Sequence, residues 1–126
     1  MTIDVDTTAQ FAAMDRCVSE IEKALLANSK VTADRIADGA RQRARFGATG
    51  KTREGITVEK ARKGDAYLVF VNRPEMPGLP GWLEFGTKHM APRPFFFAPA
   101  RLEEGSHDLR AREAVDDAIR ASGLGE

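Results

Sequence analysis

All six prolines of this 126-residue chain fall between positions 74 and 99, and that clustering limits where regular structure can lie. Proline lacks a backbone donor, fixes its own φ and pushes the preceding residue toward extended geometry. Pro74, Pro77 and Pro80 make 72–81 read as a loop. Trp82–Ala100 then reads WLEFGTKHMAPRPFFFAPA, with one Trp and four Phe beside Pro92, Pro94 and Pro99. Neither helical nor strand periodicity runs through it. Rings at this density are either buried as a hydrophobic platform or presented as a docking surface.

Before the window, Thr7-Thr8-Ala9-Gln10 fits a capping box. Phe11, Met14, Val18, Ile21 and Leu25 follow at spacings of three and four, one face of an amphipathic helix. Val31, Ile36, Ala40 and Ala44 continue it, so a long helix is expected over 8–46, with a break possible at Asn28–Ser29. Gly47–Gly50 reads as a loop. Ile56–Glu59 alternates and Tyr67–Val71 is an apolar run rich in β-formers, so a hairpin turning at Lys60–Asp65 through Gly64 is expected. The run at 67–71 reads as a central strand buried on both faces. Trp82–Phe85 reads as a short helical turn or strand, and Pro94–Phe97 as a further strand. Pro99 suits the first turn of a second helix with apolar positions at Leu102, Leu109, Val115 and Ile119, a kink at Gly105–Ser106 and a stop at Gly123. The fold class expected is α+β: one domain, with a long N-terminal helix and a C-terminal helix packed on a small antiparallel sheet and residues 1–7 as a flexible arm.

The formal net charge is zero, but its distribution is uneven. Residues 1–40 carry −3, residues 41–63 carry +6 and residues 64–126 carry −3. The basic band holds Arg41, Arg43, Arg45, Lys51 and Arg53, which suits a head-to-tail contact or a polyanion such as DNA. Alternate arginines spread round a helix rather than forming a stripe, and few aromatics interleave with them, so base stacking is poorly supplied. A single cysteine, Cys17, excludes an internal disulfide and reads as a packed thiol. No apolar run approaches the ~20 residues that span a bilayer. The start MTIDVDTTAQ lacks the features of a signal peptide, so the expected compartment is a reducing cytoplasm.

Catalytic patterns are absent from the sequence. Gly47-Ala-Thr-Gly50-Lys51-Thr52 suggests a phosphate loop, but position 45 is Arg where that pattern needs Gly, and a strand rather than a helix is expected after it. His89, His107 and Cys17 have no metal-ligand spacing, so no metal or cofactor is expected. Glu84 sits among aromatics, where a general acid would be tuned, but no second group stands at a defined spacing from it. Its expected role is an ion pair or hydrogen bond with Arg93 or with a backbone amide.

Three pieces in order carry a resemblance: Thr49-Gly50-Lys51-Thr52-Arg53-Glu54-Gly55-Ile56, then Trp82-Leu83-Glu84-Phe85-Gly86-Thr87, then Pro94-Phe95-Phe96-Phe97-Ala98-Pro99-Ala100. With the long first helix, they resemble the tail-completion, or neck and head–tail joining, proteins of long-tailed phages and prophages. The ordering matches over about residues 8–122. Lys51-Thr52 departs from the pattern, in which a leucine commonly precedes the Arg, and the loop at 74–80 is longer or stiffer than is typical. The resemblance implies a non-enzymatic virion component that forms a ring, usually sixfold, at the head-proximal end of the tail. It implies contact with tail-tube, tail-terminator or head-connector proteins, with host cytoplasm as the location before assembly. Trp82, Glu84, Phe85, Gly86, Thr87, Arg93, Phe95, Phe96 and Phe97 are then core or inter-subunit residues. Arg41, Arg43, Arg45, Lys51 and Arg53 are candidates to face the lumen and make sequence-independent contact with packaged DNA. The alternative is a small nucleic-acid-binding module using 41–63.

Overall fold

A computed structural model describes residues 1–44, 51–76, 78–89, 91–92 and 94–123. Helix α1 spans Thr8–Arg43 and a single turn, α2, spans Lys51–Gly55. Strands β1 (Ile56–Lys60) and β2 (Tyr67–Val71) follow, then α3 (Leu79–Phe85) and α4 (Phe97–Ser122). The fold is α+β, with a long N-terminal helix, a C-terminal helix and a two-stranded antiparallel sheet.

α1 runs unbroken through Asn28–Ser29. It is rich in alanine and free of proline, and both favour a continuous helix. Its start is not the expected capping box. Thr7 occupies the cap position without a side-chain bond, and Asp6 Oδ1 instead accepts from the Thr8 amide at 2.9 Å and the Thr8 hydroxyl at 2.5 Å. α4 likewise passes straight through Gly105–Ser106 and ends at Gly123, whose φ of 77° is the left-handed stop that glycine supplies.

The two long helices run antiparallel. Cys17 lies against Ala118, Asn28 against His107 and Arg110, Arg35 against Glu103, and Gly39 against Pro99. Along these pairs one number rises as the other falls. α4 reaches Ser122 opposite about residue 13, so the first turn or so of α1 projects past its last helical residue by roughly 8 Å. At the other end the fit is close. A Cβ on Gly39 would sit 2.9 Å from the Pro99 Cβ, so glycine there lets the start of α4 meet α1.

The sheet is a hairpin with Ile56 opposite Val71 and Lys60 opposite Tyr67. Its turn closes through Ala61 N–H to Ala66 O at 2.9 Å, with Gly64 at φ 73°. The core is small: Ala37 and Ala40 of α1 and Ala44 at its C-cap, with Ile56 and Phe95, fringed by Val58, Val69, Val71, Leu83 and Phe96. The alanines fall at spacings of three and four, and their small side chains let the sheet lie close on α1.

Several expectations are corrected. β2 is not a central strand: among the described residues the sheet has two strands, and Leu68 is half exposed. The pair Phe95–Phe96 is a turn into α4 rather than a strand. Phe11, Met14, Val18 and Leu25 do lie on a helix, but they are exposed. α1 buries Cys17, Asn28, Ala33, Ala37 and Ala40 instead. Leu102 and Leu109 of α4 are also exposed, while Pro99 and Ala118 are buried. The most buried residues of the long helices are small or polar, while Ile21, Val115 and Ile119 are half-buried.

Candidate interaction surfaces

The motif around Glu84 is built by a short helix feeding a carboxylate into the start of a long one. α3 begins with Pro80 in its first turn, where the missing N–H costs nothing, and stops at Gly86. Gly86 has φ 77° and donates its N–H to Trp82 O at 2.8 Å. The seven residues of α3 set Glu84 facing inward, where it is buried. Glu84 Oε2 accepts the amides of Phe95 at 2.8 Å and Phe96 at 2.9 Å, and Oε1 accepts that of Phe97 at 3.2 Å. These are free amides at the head of α4, and a carboxylate across them satisfies donors and opposes the positive helix end. Of the two roles expected for Glu84, the bond to backbone amides is made. Arg93 lies outside the described residues.

This clamp sorts the aromatic residues. Phe95 goes inward and is 2% exposed. Phe96 is half-buried, with its ring centroid 6.1 Å from Phe95 and 5.3 Å from Phe97 in edge-on arrangements. Phe97 faces out with Phe85, centroids 5.8 Å apart, and Phe85 is 70% exposed. Trp82 lies across Gly78, where a Cβ would come within 2.9 Å of its indole, and it too is about half exposed. Thr87 Oγ1 accepts from the His89 amide at 3.2 Å, an exposed local turn. The segment is thus both core and surface. Phe95 and Glu84 are interior, and Trp82, Phe85 and Phe97 form an outward aromatic patch. Beside it a groove of about 320 Å³ lies between β2, α3 and the head of α4.

The basic band is divided. Arg41 donates to Asp38 Oδ1 and to Ile56 O, both at 2.9 Å, and so ties the end of α1 to β1. Arg43 reaches back to Gly39 O at 3.4 Å. Lys51 and Arg53 are exposed on α2, and Arg45 lies outside the described residues. Arg41 thus has an internal structural task, and the remaining described charges do not form a continuous stripe.

Two clusters were not foreseen from the sequence. Arg73 is buried, donating to Thr52 Oγ1 at 2.7 Å and Glu75 Oε1 at 2.6 Å, which pins α2 to the loop after β2. Glu75's own backbone N–H, and then the Arg73 guanidinium, hold its carboxyl below the usual range. The second cluster joins α1 to α4. Arg110 donates to Asn28 Oδ1 at 2.8 Å and Thr32 Oγ1 at 2.9 Å. With its oxygen so engaged, Asn28 turns its amide nitrogen to His107 O at 3.1 Å. The Thr32 hydroxyl lies 2.6 Å from His107 Nδ1, within hydrogen-bond distance. Glu103 Oε2 stands 3.8 Å from Arg35 and 3.9 Å from Arg110, buried and without a hydrogen bond. Asn28/Thr32 and His107/Arg110 stand at i,i+4 and i,i+3, one-face spacings, but only the register of the helix pair reveals that they meet.

Among the described residues no group of three His, Cys, Asp or Glu is placed to hold a metal ion, and no helix is long and apolar enough to cross a membrane. Comparison of the chain with protein-family profiles, curated proteins and solved structures finds no match.

Proposed function

We propose that this protein is a non-enzymatic structural component of a phage tail, assembling as a ring at the head-proximal end and helping to join the tail to the head connector. The observation that carries the reading is the presence of two unlike exposed apolar surfaces at opposite ends of one elongated chain. At one end stand Trp82, Phe85 and Phe97; at the other, Phe11, Met14, Val18 and Leu25. α1 alone is about 54 Å long, so one copy does not bring the two together. A ring needs a heterologous contact in which one patch meets a different patch on the next copy. The ordered motifs at 49–56, 82–87 and 94–100 add the resemblance to tail-completion proteins. On this reading the ring is made of six copies and meets tail-tube, tail-terminator or connector proteins, and Lys51 and Arg53 are the exposed cations available to packaged DNA.

The test is solution mass by light scattering, with the protein alone and then mixed with the tail-tube and connector proteins encoded beside it. A ring, or a shift to one on mixing, supports the reading. A monomer indifferent to every such protein overturns it.

A further inference from the structure

The hairpin has an open edge whose chemistry can be worked out from its register. Ala61 bonds Ala66 and Gly55 bonds Asn72, so the hydrogen-bonded pairs are 55/72, 57/70, 59/68 and 61/66. The N–H and C=O groups of Tyr67, Val69 and Val71 therefore point away from β1. Among the described residues nothing pairs with them. β1 is different, because Arg41 already takes Ile56 O on its outer side. The open edge of β2 borders the groove described above, which Val69, Val71, Pro80, Phe85, Phe96 and Phe97 line. An unpaired strand edge beside an apolar groove accepts an extended segment, with backbone bonds for affinity and the groove for alternate side chains.

One segment of this chain has the matching pattern. Residues 1–6 read Met-Thr-Ile-Asp-Val-Asp, strict apolar/polar alternation, and they adopt no helix or strand. Met1, Ile3 and Val5 are exposed. We propose that in the assembly the arm Thr2–Asp6 of one copy adds antiparallel to β2 of the next, with Ile3 opposite Val71 and Val5 opposite Val69. Parity fixes the face. Side chains opposite one another share a face, so Ile3 and Val5 enter the groove with Val69 and Val71 while Asp4 and Asp6 look outward. Charge fixes the direction. Antiparallel addition carries Asp4 and Asp6 toward the hairpin turn, where Lys60, Arg62 and Lys63 outnumber Asp65. Reach fixes the donor. The groove lies beside residues 37–44 of α1, roughly 43 Å along the helix from Thr8, and seven extended residues span at most ~25 Å. The arm cannot fill its own groove, so the occupant is a second copy.

This names the contact for the ring proposed above and rests on that reading only for the closure of copies into a ring. The test uses a labelled peptide of residues 1–7 and, as receiver, the full chain carrying Ile3→Asp and Val5→Asp, which disables its own arm and leaves the groove intact. Fluorescence anisotropy should show saturable binding. N-methylation at Val5 removes an N–H aimed at β2 and should weaken binding at least tenfold. N-methylation at Asp4, whose N–H points away, should weaken it far less. The doubly substituted chain should also need at least tenfold higher concentration than the natural chain to self-associate. No peptide binding, equal effects of the two N-methylations, or unchanged self-association each overturns the arm exchange. Rings that form with tail and connector proteins despite the double substitution would sink the exchange and leave the ring reading standing. Peptide binding with the predicted parity, but no ring with any such protein, would do the reverse.

Discussion

The two ends of the helix pair are built on different principles. At the end holding Ala37, Ala40 and Ala44, small side chains bring a sheet onto one helix, Phe95 fills the gap, and Glu84 clamps three amides at the head of α4. At the end holding residues 8–28 no strand among the described residues covers α1. α1 overhangs α4, and Phe11, Met14, Val18 and Leu25 are exposed, with Ile21 and Leu26 half-buried. The hairpin turn stands off from α1 there, leaving a cleft of about 530 Å³ lined by Leu25, Leu26, Gly64 and Asp65 among others. The polar network of Asn28, Thr32, His107 and Arg110 divides the two regions. One end is packed around a core of its own, and the other leaves Phe11, Met14, Val18 and Leu25 exposed.

The largest effect should come from Phe95→Ala, which removes the most enclosed large side chain in the core. A loss of about 3–5 kcal/mol in denaturant unfolding is expected. Phe11→Ala at the open end should stay within ~0.5 kcal/mol, as should Phe85→Ala despite its place in the motif. Equal losses for Phe95 and Phe11 would erase the distinction between the ends. Next comes Glu84→Ala, which strands three donors at a helix head and should cost about 2–4 kcal/mol. Glu84→Gln keeps one acceptor oxygen and should cost about half as much. Faster amide exchange at Phe95, Phe96 and Phe97 in both variants would place the loss at the clamp. Unchanged exchange there would show that the clamp does not hold the head of α4.

Much of this was legible in the sequence. The two long helices and the hairpin announced themselves by period and by their stops: Gly64 turned the hairpin and Gly123 ended α4. The loop read over 72–81 gives way to α3 from Leu79, because Pro80 is tolerated in a first helical turn, and the single turn α2 was not anticipated. Glu84's link to a backbone amide was among the readings open from its setting. What could not be read was which helical face is buried. The stripe Phe11–Leu25 has the period of a buried face, and periodicity reports that a face is apolar without reporting whether its partner lies in the same chain. The same ambiguity led 67–71 to read as a central strand. Its apolar character is real, but among the described residues it pairs with β1 alone. Asn28, His107 and Arg110 were illegible for another reason, since their meeting depends on the register of two helices about 80 residues apart.

That boundary network offers a third, smaller effect. Asn28→Ala removes the acceptor of Arg110 and the donor to His107 O, and should cost about 1–3 kcal/mol. If the network holds the two ends together, amide exchange in residues 8–27 should rise further than exchange in residues 33–43. A uniform rise would mean that the helix pair opens as one unit and that the ends differ in burial but not in cooperativity.

The smallest effect separates the ends by acid. The Thr8 hydroxyl, and then its amide, hold the Asp6 carboxyl below its ordinary value of 3.8. At the clamped end Glu75 is held below 4.5, first by its own backbone N–H and then by Arg73. In each case the folded chain binds the proton more weakly than the unfolded chain. The contribution is therefore present above the ordinary value and fades as pH falls through the depressed one. Both carboxyls are solvent-exposed, so the readout must be local. The Thr8 amide shift, followed by NMR from pH 5 downward, should titrate with a midpoint below 3.8. Asp6→Asn should abolish that titration and leave the thermal midpoint unchanged, because the first turn of α1 frays without disturbing the core around Phe95. The Glu75 titration should instead be felt at Thr52, through the buried Arg73 that joins them. A Thr8 midpoint at or above 3.8 would mean that Asp6 does not cap the helix. A thermal midpoint that fell with Asp6→Asn would mean that the open end is cooperative with the clamped one.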